Sequence, residues 1–510
     1  MKKYNSIIEA TVVVTALVIL EKILGFGRQG VIAAYYGANA ETDAFFFAQG
    51  MPSMLFPAIG NSLALAFTSA YTKRMTERGE LEGDHYASRV LVSVTVMGII
   101  LSLVGILISP LLVPLFAPGF SAAQTTLAVR LTRIVMGAFT LTLIQYIFAA
   151  VLNSKKLFSI SHIANFSFSL FVLAVTILLG SGQSVYTLTL TVVIGTVMQT
   201  VVLVLGGRRH FHGTLHDVSP IHPEIGGLFK LALPILLGNS VTQLNNIVDK
   251  ALGSTLEKGA LSALSYANTL DALVICVFVM TLSSVLYPTL VELTVEKKWD
   301  KFERLLITSL SSLSMLLIPI SVITFMDAKP IIKIVYGRGN FDETAVAMTA
   351  LVLACYAPRF FFAGIHEVIS RVFFSVQDTK TPMVAEAIGV GCNIVFSLIF
   401  VRWLGVAGIA LGTVVSVVVI AAILVKKMHT AFRGISLKPF YLKVLKQLIA
   451  AGILIIGILS MHRFAAVGST FLRFFLDVIV GFLLYFGVLV LIDKKGFEEM
   501  LAMLRKKKSK

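Results

Sequence analysis

The sequence predicts an all-α polytopic membrane protein of about 14 transmembrane helices. Two six-helix bundles related by a pseudo-twofold are expected, with two extra helices at the C-terminus. Three observations lead there. Of 510 residues, 57% are hydrophobic and only 14% charged, against roughly 25% charged in soluble domains. Apolar runs of about 20 residues, long enough to cross a bilayer, recur from end to end. One stretch of the first half also reappears in the second. The polar connections are too short to hold a soluble domain.

Taken in order, the first six spans are expected at roughly 7–36, 43–71, 87–116, 123–152, 157–180 and 184–206. The turn Gly37-Ala38-Asn39 separates the first two. The stretches APGFSAAQ and GSGQSVY separate the third from the fourth and the fifth from the sixth. The next six are expected at roughly 225–252, 260–292, 303–326, 343–374, 382–402 and 405–425, and a final pair at about 441–461 and 470–492. The basic, apolar start lacks a small-residue cleavage site and reads as a retained first helix. Cys276, Cys355 and Cys392 lie in apolar segments without metal-ligand spacing, as packing residues do.

The net charge of +16 is distributed as topology, not as a nucleic-acid surface. With the N-terminus inside, Lys73, Arg74, Arg78, Lys155, Lys156, Arg208, Arg209, Lys297, Lys298, Lys301, Arg304, Lys380, Lys426 and Lys427 fall on inward connections. Roughly 28 of the 43 Lys and Arg lie inside and about 7 outside, as the positive-inside rule requires. Both termini are then cytoplasmic, nucleic acid is excluded as partner, and the basic tail LRKKKSK is either a contact for anionic membrane lipids or a plain topology signal.

Charges inside spans carry the functional reading. Lys22, Arg28 and Asp43 lie in 21–57, with Gly25 and Gly27 just ahead of Arg28. A charge at mid-membrane depth needs a partner or a wet cavity, and marks a functional site by default. The bland alternative is that Arg28 snorkels to an interface, or pairs with Asp43 only to hold two helices together. Arg130, Arg133, Lys230, Lys250, Arg359 and Arg371 are the other span cations. Of these, Lys230 and Lys250 are expected to snorkel from helix ends. The span acids are chiefly Asp43, Asp249, Asp271, Glu367 and Glu386. A net positive interior suits an anionic cargo whose phosphates supply the counter-charge. Glu367 either faces the cavity or pairs with Arg371, one helical turn on.

Residues 131–170 can be laid over 348–398. Each ends in Asn-x-x-Phe-Ser-Leu, at Asn165 to Leu170 and Asn393 to Leu398, and each carries a basic connection upstream. Both start outside and turn inside, so the repeat is parallel. That is a transporter plan, with cargo bound between halves: 1–215 and 216–430 as the bundles, and 431–510 as the added helices and tail.

The stretch LGFGRQGVIAAYYGANAETDAFFFA resembles the Leu-Gly-Phe-x-Arg…Phe-Gly-Ala…Thr-Asp-Ala-Phe-Phe signature of the MurJ (MviN) lipid II flippase family. Ala117-Pro118-Gly119-Phe120, residues 233–267, YGRGNFDETA and FFSVQDTKTP extend the resemblance in order over roughly 10–430. It implies membership of the multidrug/oligosaccharidyl-lipid/polysaccharide exporter superfamily and a V-shaped cavity worked by alternating access. It also implies a bacterial cytoplasmic-membrane location, without enzymatic activity. The implied cargo is the undecaprenyl-diphosphate-linked peptidoglycan precursor, moved from the inner to the outer leaflet beside the cell-wall synthesis machinery. The alternatives are another lipid-linked polysaccharide unit, or a drug exported by cation coupling.

Carried over, Lys22 and Arg28 match basic cavity positions, and Asp43 matches the Thr-Asp-Ala aspartate. The family's arginines near Phe56 or Pro57 and at Thr269 are missing, and Gln29 stands where aspartate is common. Arg359 and Arg371 are expected to compensate. No resident cofactor is expected; the resemblance implies coupling to sodium or to the membrane potential. The sodium ligands would be Asp249, Asn393, Ser397 and Thr413, with interhelical polar glue as the other reading. Gln243, Asn246 and Asp249 share one broad side of their helix. The histidines His210, His212, His216 and His222 have mixed spacing and, as a loop cluster, are more often solvated than metal-bound, and His366-Glu367 lacks the second histidine of a zinc motif.

Overall fold

The computed structural model describes residues 2–213, 223–432, 434–464, 469–494 and 496–498. They form nineteen α-helices in the order α1 (Lys2–Tyr36), α2 (Ala40–Leu55), α3 (Pro57–Arg78), α4 (Glu80–Phe116), α5 (Ala122–Gly137), α6 (Phe139–Ser154), α7 (Phe158–Leu179), α8 (Val185–Gly207), α9 (Pro223–Ser254), α10 (Ala260–Val274), α11 (Thr281–Val295), α12 (Trp299–Met326), α13 (Ala328–Val335), α14 (Glu343–Tyr356), α15 (Arg359–Ser375), α16 (Lys380–Leu404), α17 (Val406–Ala431), α18 (Lys438–Phe464) and α19 (Thr470–Ile492). No strand occurs among the described residues. Among the described residues, eleven helical stretches are long and apolar enough to cross a membrane, and the bent pair α14–α15 makes a twelfth. The helices α1 and α9 cover the first and seventh expected spans.

Several spans are broken. Phe56 and Pro57 divide α2 from α3, and Pro52 sits inside α2; proline removes a helical donor and clashes one turn back. Between α14 and α15 the axis bends by 42° at Pro358. A π-helical stretch, Ile275–Met280, joins α10 to α11.

The surface is apolar and the interior carries polar groups. Leu178, Leu491 and Trp403 are 83%, 84% and 78% exposed, whereas Ser309, Asn393 and Ser397 are buried. That distribution suits lipid as solvent, where buried hydroxyls bond back to the helix or across to a neighbour.

The chain divides into two compact units: Met1–Ser262 with Arg338–Asp342, and Ala263–Gly337 with Glu343–Lys510. In unit one, α1 packs on α7, α7 on α8, α2 on α5, and α3 on α4, α6 and α9. Thus α9, in sequence the first span of the second half, sits with unit one. A polar cluster ties helix ends there. Lys155 reaches Glu80 and Asp84 at 2.8 Å each, Tyr71 donates to Asp84 at 2.7 Å, and the His212 backbone N–H donates to Asp84 at 2.8 Å. Lys155 thus bridges the Glu80 and Asp84 carboxylates and also reaches the His210 carbonyl, while the His212 ring stands 3.6 Å from Asp84. His216 and His222 lie outside the described residues.

In unit two, α16 packs on α17, α15 on α17 and α12, and α12 on α18, which pairs with α19. A core of Phe302, Leu306, Leu313, Phe360, Val368, Phe373 and Leu424 lies between α12, α15 and α17.

The two repeat copies share local geometry. Each is a broken helix, a tight turn and a long helix: α5–α6 then α7, and α14–α15 then α16. Lys156 and Gln377 adopt left-handed backbone at φ 65° and 64°. In both turns the next residue's N–H, at Leu157 and Asp378, bonds five residues back, to Leu152 and Phe373. This is the Schellman helix end. Asp378 then accepts from the Thr381 N–H and hydroxyl at 3.0 and 2.6 Å, which holds its carboxyl below the ordinary aspartate range.

Candidate functional site

The residues of 21–57 are built on α1 and α2. Lys22 is exposed and Arg28 half-buried. The Arg28 guanidinium stands 4.9 Å over the Phe168 ring of α7, a cation–π contact. It forms no ion pair among the described residues, and neither does Lys22. The alternative of an Arg28–Asp43 pair is not what the structure has.

Asp43 is engaged elsewhere. Asn39 caps α2 through the Glu41 and Thr42 N–H groups, which fixes the first turn carrying Asp43. Its carboxylate accepts from the Gly259 N–H at 2.6 Å, the Ser262 N–H at 2.8 Å and the Ser262 hydroxyl at 2.7 Å. Those N–H groups are the unpaired donors of the first turn of α10, where a negative charge also meets the positive end of the helix. Asp43 is therefore a clamp inside unit one, with no oxygen left over.

The same unit holds a surprise at Lys250. Its ammonium does not snorkel: it donates to the Phe46 carbonyl of α2 at 3.1 Å. Gly50 leaves the room, since a Cβ there would stand 1.6 Å from Lys250 Nζ. Lys230, by contrast, is exposed as expected. Gln243 accepts from Asn246 at 2.9 Å, while one Asp249 oxygen is buried without a hydrogen-bond partner among the described residues.

In unit two both arginines are partnered. Arg359 bonds to Asp271 of α10, itself 2% exposed. Arg371 bonds to Glu367 within α15 and lies 5.8 Å from the Tyr287 ring centre. His366 meets Glu386 of α16 at 2.8 Å. Asn393, Ser397 and Thr413 are brought together: the Asn393 amide donates to Thr413 at 3.1 Å, and Ser397 donates to the Asn393 carbonyl at 3.3 Å. A cavity of about 580 Å³ opens beside Trp299, Glu303, Phe373, Asp378 and Phe432; none of the expected cargo residues lines it.

Two pairings had no sequence signal: Arg359–Asp271 and the His366–Glu386 contact join residues on different helices. The Arg371–Glu367 pair had one, because i and i+4 share a helix face.

The chain is similar to the lipid II flippase MurJ of Burkholderia cenocepacia, at 27% identity over 468 residues, covering 89% of this chain and 90% of the relative. Among solved structures, its fold matches a lipid II flippase MurJ in an inward closed conformation. The TM-score is 0.81 at 23% identity, over 95% of this chain and 99% of that one. An inward-facing multidrug resistance MATE transporter of the MOP superfamily matches with a TM-score of 0.66 at 15% identity, over 82% of this chain and 96% of that one. A family model described as lipid II flippase MurJ matches residues 32–476, and the chain belongs to that family.

Proposed function

We propose that this protein is a transporter, a flippase that moves lipid II from the inner to the outer leaflet by alternating access. Family membership over 32–476 supports the cargo, and one feature of the site supports its grip. Four cations were candidates, and they divide cleanly. Arg359 and Arg371 already bond carboxylates, whereas Arg28 stands over an aromatic ring and pairs with no acid among the described residues. An uncommitted guanidinium at membrane depth is suited to a diphosphate, which it meets with two parallel N–H groups. Lys22 supplies a second, solvated charge. Arg359 and Arg371 would join only by exchanging Asp271 or Glu367 for phosphate. Asp43 is set apart from the cargo contacts, because both its oxygens already accept hydrogen bonds from Gly259 and Ser262.

The chain is a multi-pass membrane protein. The loop charges support both termini lying in the cytoplasm, and the Asn-x-x-Phe-Ser-Leu repeat supports two six-helix halves.

Cation coupling belongs to the same proposal. Asp249, Asn393, Ser397 and Thr413 offer the oxygen donors a hard cation takes. Asp249 is the only one with an orphaned buried oxygen. Sodium held at such donors within a unit would bias the transport cycle. If so, Asp249→Asn should remove the sodium dependence of cargo exposure; retained dependence excludes the site.

The functional test is rescue of a bacterium depleted of its own lipid II flippase. The wild-type gene should restore growth and wall synthesis. Stable insertion without rescue overturns the reading.

A further inference from the structure

Three helix ends come together in unit two, at the side opposite the basic starts of α12 and α18. Asp327 follows α12, His462 closes α18, and Asp477 lies in the second turn of α19. One ligand atom from each lies within 4.8 Å of the others. His462 Nε2 is 2.8 Å from Asp477 Oδ2. Both carboxylates are buried, at 1% exposure for Asp327 and 0% for Asp477.

Their bonding is incomplete. Neither oxygen of Asp327 has a hydrogen-bond partner among the described residues, and nor has Asp477 Oδ1. Asp327 occupies the N-cap position of α13, where an aspartate normally accepts from the backbone, yet its side chain makes no cap bond. It is turned to the cluster instead. Arg473, one helical turn before Asp477, is close enough for its charge to act on Asp327, yet it donates no hydrogen bond to either Asp327 oxygen, and its Nε is buried without a partner among the described residues. Two neighbouring carboxylates repel, and buried carboxylate oxygens without donors are costly. Among the described residues no donor bridges the two carboxylates.

We propose that Asp327, His462 and Asp477 bind a divalent transition-metal cation of the zinc class. One imidazole nitrogen and two carboxylates form a zinc donor set, leaving a fourth position for water. Ligand atoms about 2.0–2.1 Å from zinc in a tetrahedron stand about 3.3 Å apart. The 2.8 Å His462–Asp477 contact must therefore open by roughly half an ångström. The bound ion would staple the α18–α19 pair to the end of α12 and the start of α13.

The test uses the full-length chain without a polyhistidine tag, stripped with a chelator and reconstituted in lipid nanodiscs. Zinc ion is titrated by calorimetry and its content measured by mass spectrometry. One zinc per chain is expected, and saturating zinc should raise the unfolding midpoint by about 5–10 °C. Asp327→Asn and His462→Gln should each bind at least tenfold more weakly and lose the shift. His212→Gln, in the Lys155-filled cluster of unit one, should leave both intact. No stoichiometric zinc on the wild type would overturn the proposal and leave a proton shared between the carboxylates. So would zinc binding unchanged in the Asp327 and His462 variants. If those variants fail to insert, the wild-type titration alone decides.

Discussion

Replacing Asp43 separates a clamp from a cargo ligand. In Asp43→Ala, two backbone N–H groups at the start of α10 lose their acceptor, while the Ser262 hydroxyl keeps Thr42 Oγ1 at 2.9 Å. Each stranded buried donor costs about 1–3 kcal/mol, so the loss is about 2–6 kcal/mol. Asp43→Asn keeps one acceptor oxygen but turns an NH2 toward a donor, and should cost roughly half as much. At about 2–4 °C per kcal/mol for a domain of this size, the unfolding midpoint should fall by roughly 10 °C for alanine and about 5 °C for asparagine. The assay is far-ultraviolet circular dichroism of purified protein on heating. Cargo exposure measured in cells held well below the lowered midpoint should stay near normal for the asparagine variant. A variant that unfolds at the wild-type temperature yet fails to expose cargo would refute the clamp and make Asp43 a cargo or proton ligand.

Three further outcomes follow from the geometry. Gly119→Ala should destabilise by about 1–3 kcal/mol or more, because its Cβ would stand 2.3 Å from the Ser254 carbonyl oxygen and the Thr255 Cα; an unchanged midpoint would contradict that close approach. Arg359→Ala should reduce the inserted protein by stranding Asp271, at a cost of about 3–5 kcal/mol. Adding Asp271→Asn should restore insertion, and full cargo exposure in that double variant would remove Arg359 from the cargo site. Cysteines placed in the loops near Gly119, Gly182 and Gly339, away from the glycines themselves, should react with an impermeant reagent from outside intact cells, and those in the loops near Lys155, Arg208 and Lys380 should not. Outside labelling of any of the latter three would overturn the loop orientation.

Much of the architecture was legible because membrane spans are long and repetitive. Each of the fourteen expected spans coincides with one helix or one broken helix, since about 20 apolar residues have few other stable forms in lipid. The breaks were less legible. Proline marks Pro57 and Pro358, but the break between Gly137 and Phe139 and the π-helical stretch at Ile275–Met280 lie in unremarkable apolar sequence. Helix ends at Lys156 and Gln377 were hidden for a related reason: glycine is the usual left-handed residue, and neither position has one.

At the site, composition identified the charges but not their partners. Arg371 and Glu367 could be paired from spacing alone, because both ride one helix face. Asp43 could not, since its donors lie more than 200 positions away, at Gly259 and Ser262. The Asp327, His462 and Asp477 cluster was invisible for the same reason. Lys250 was misread as a snorkelling residue because sequence does not reveal that Gly50 opens a path to the Phe46 carbonyl.

The central claim is that Arg28 grips the diphosphate of lipid II during its passage across the membrane. The most direct measurement is lipid II exposed on the outer leaflet of cells depleted of their own flippase and supplied with this chain or its Arg28 variants at equal membrane abundance. The wild type should expose lipid II. Arg28→Ala should expose about 1% or less of that amount, as expected for losing a charge-assisted contact of about 3 kcal/mol in a low-dielectric cavity. Arg28→Lys should recover only part, since an ammonium cannot make the two-pronged contact. Wild-type exposure in the alanine variant would contradict the claim, and no exposure by the stably inserted wild type would contradict the flippase reading itself.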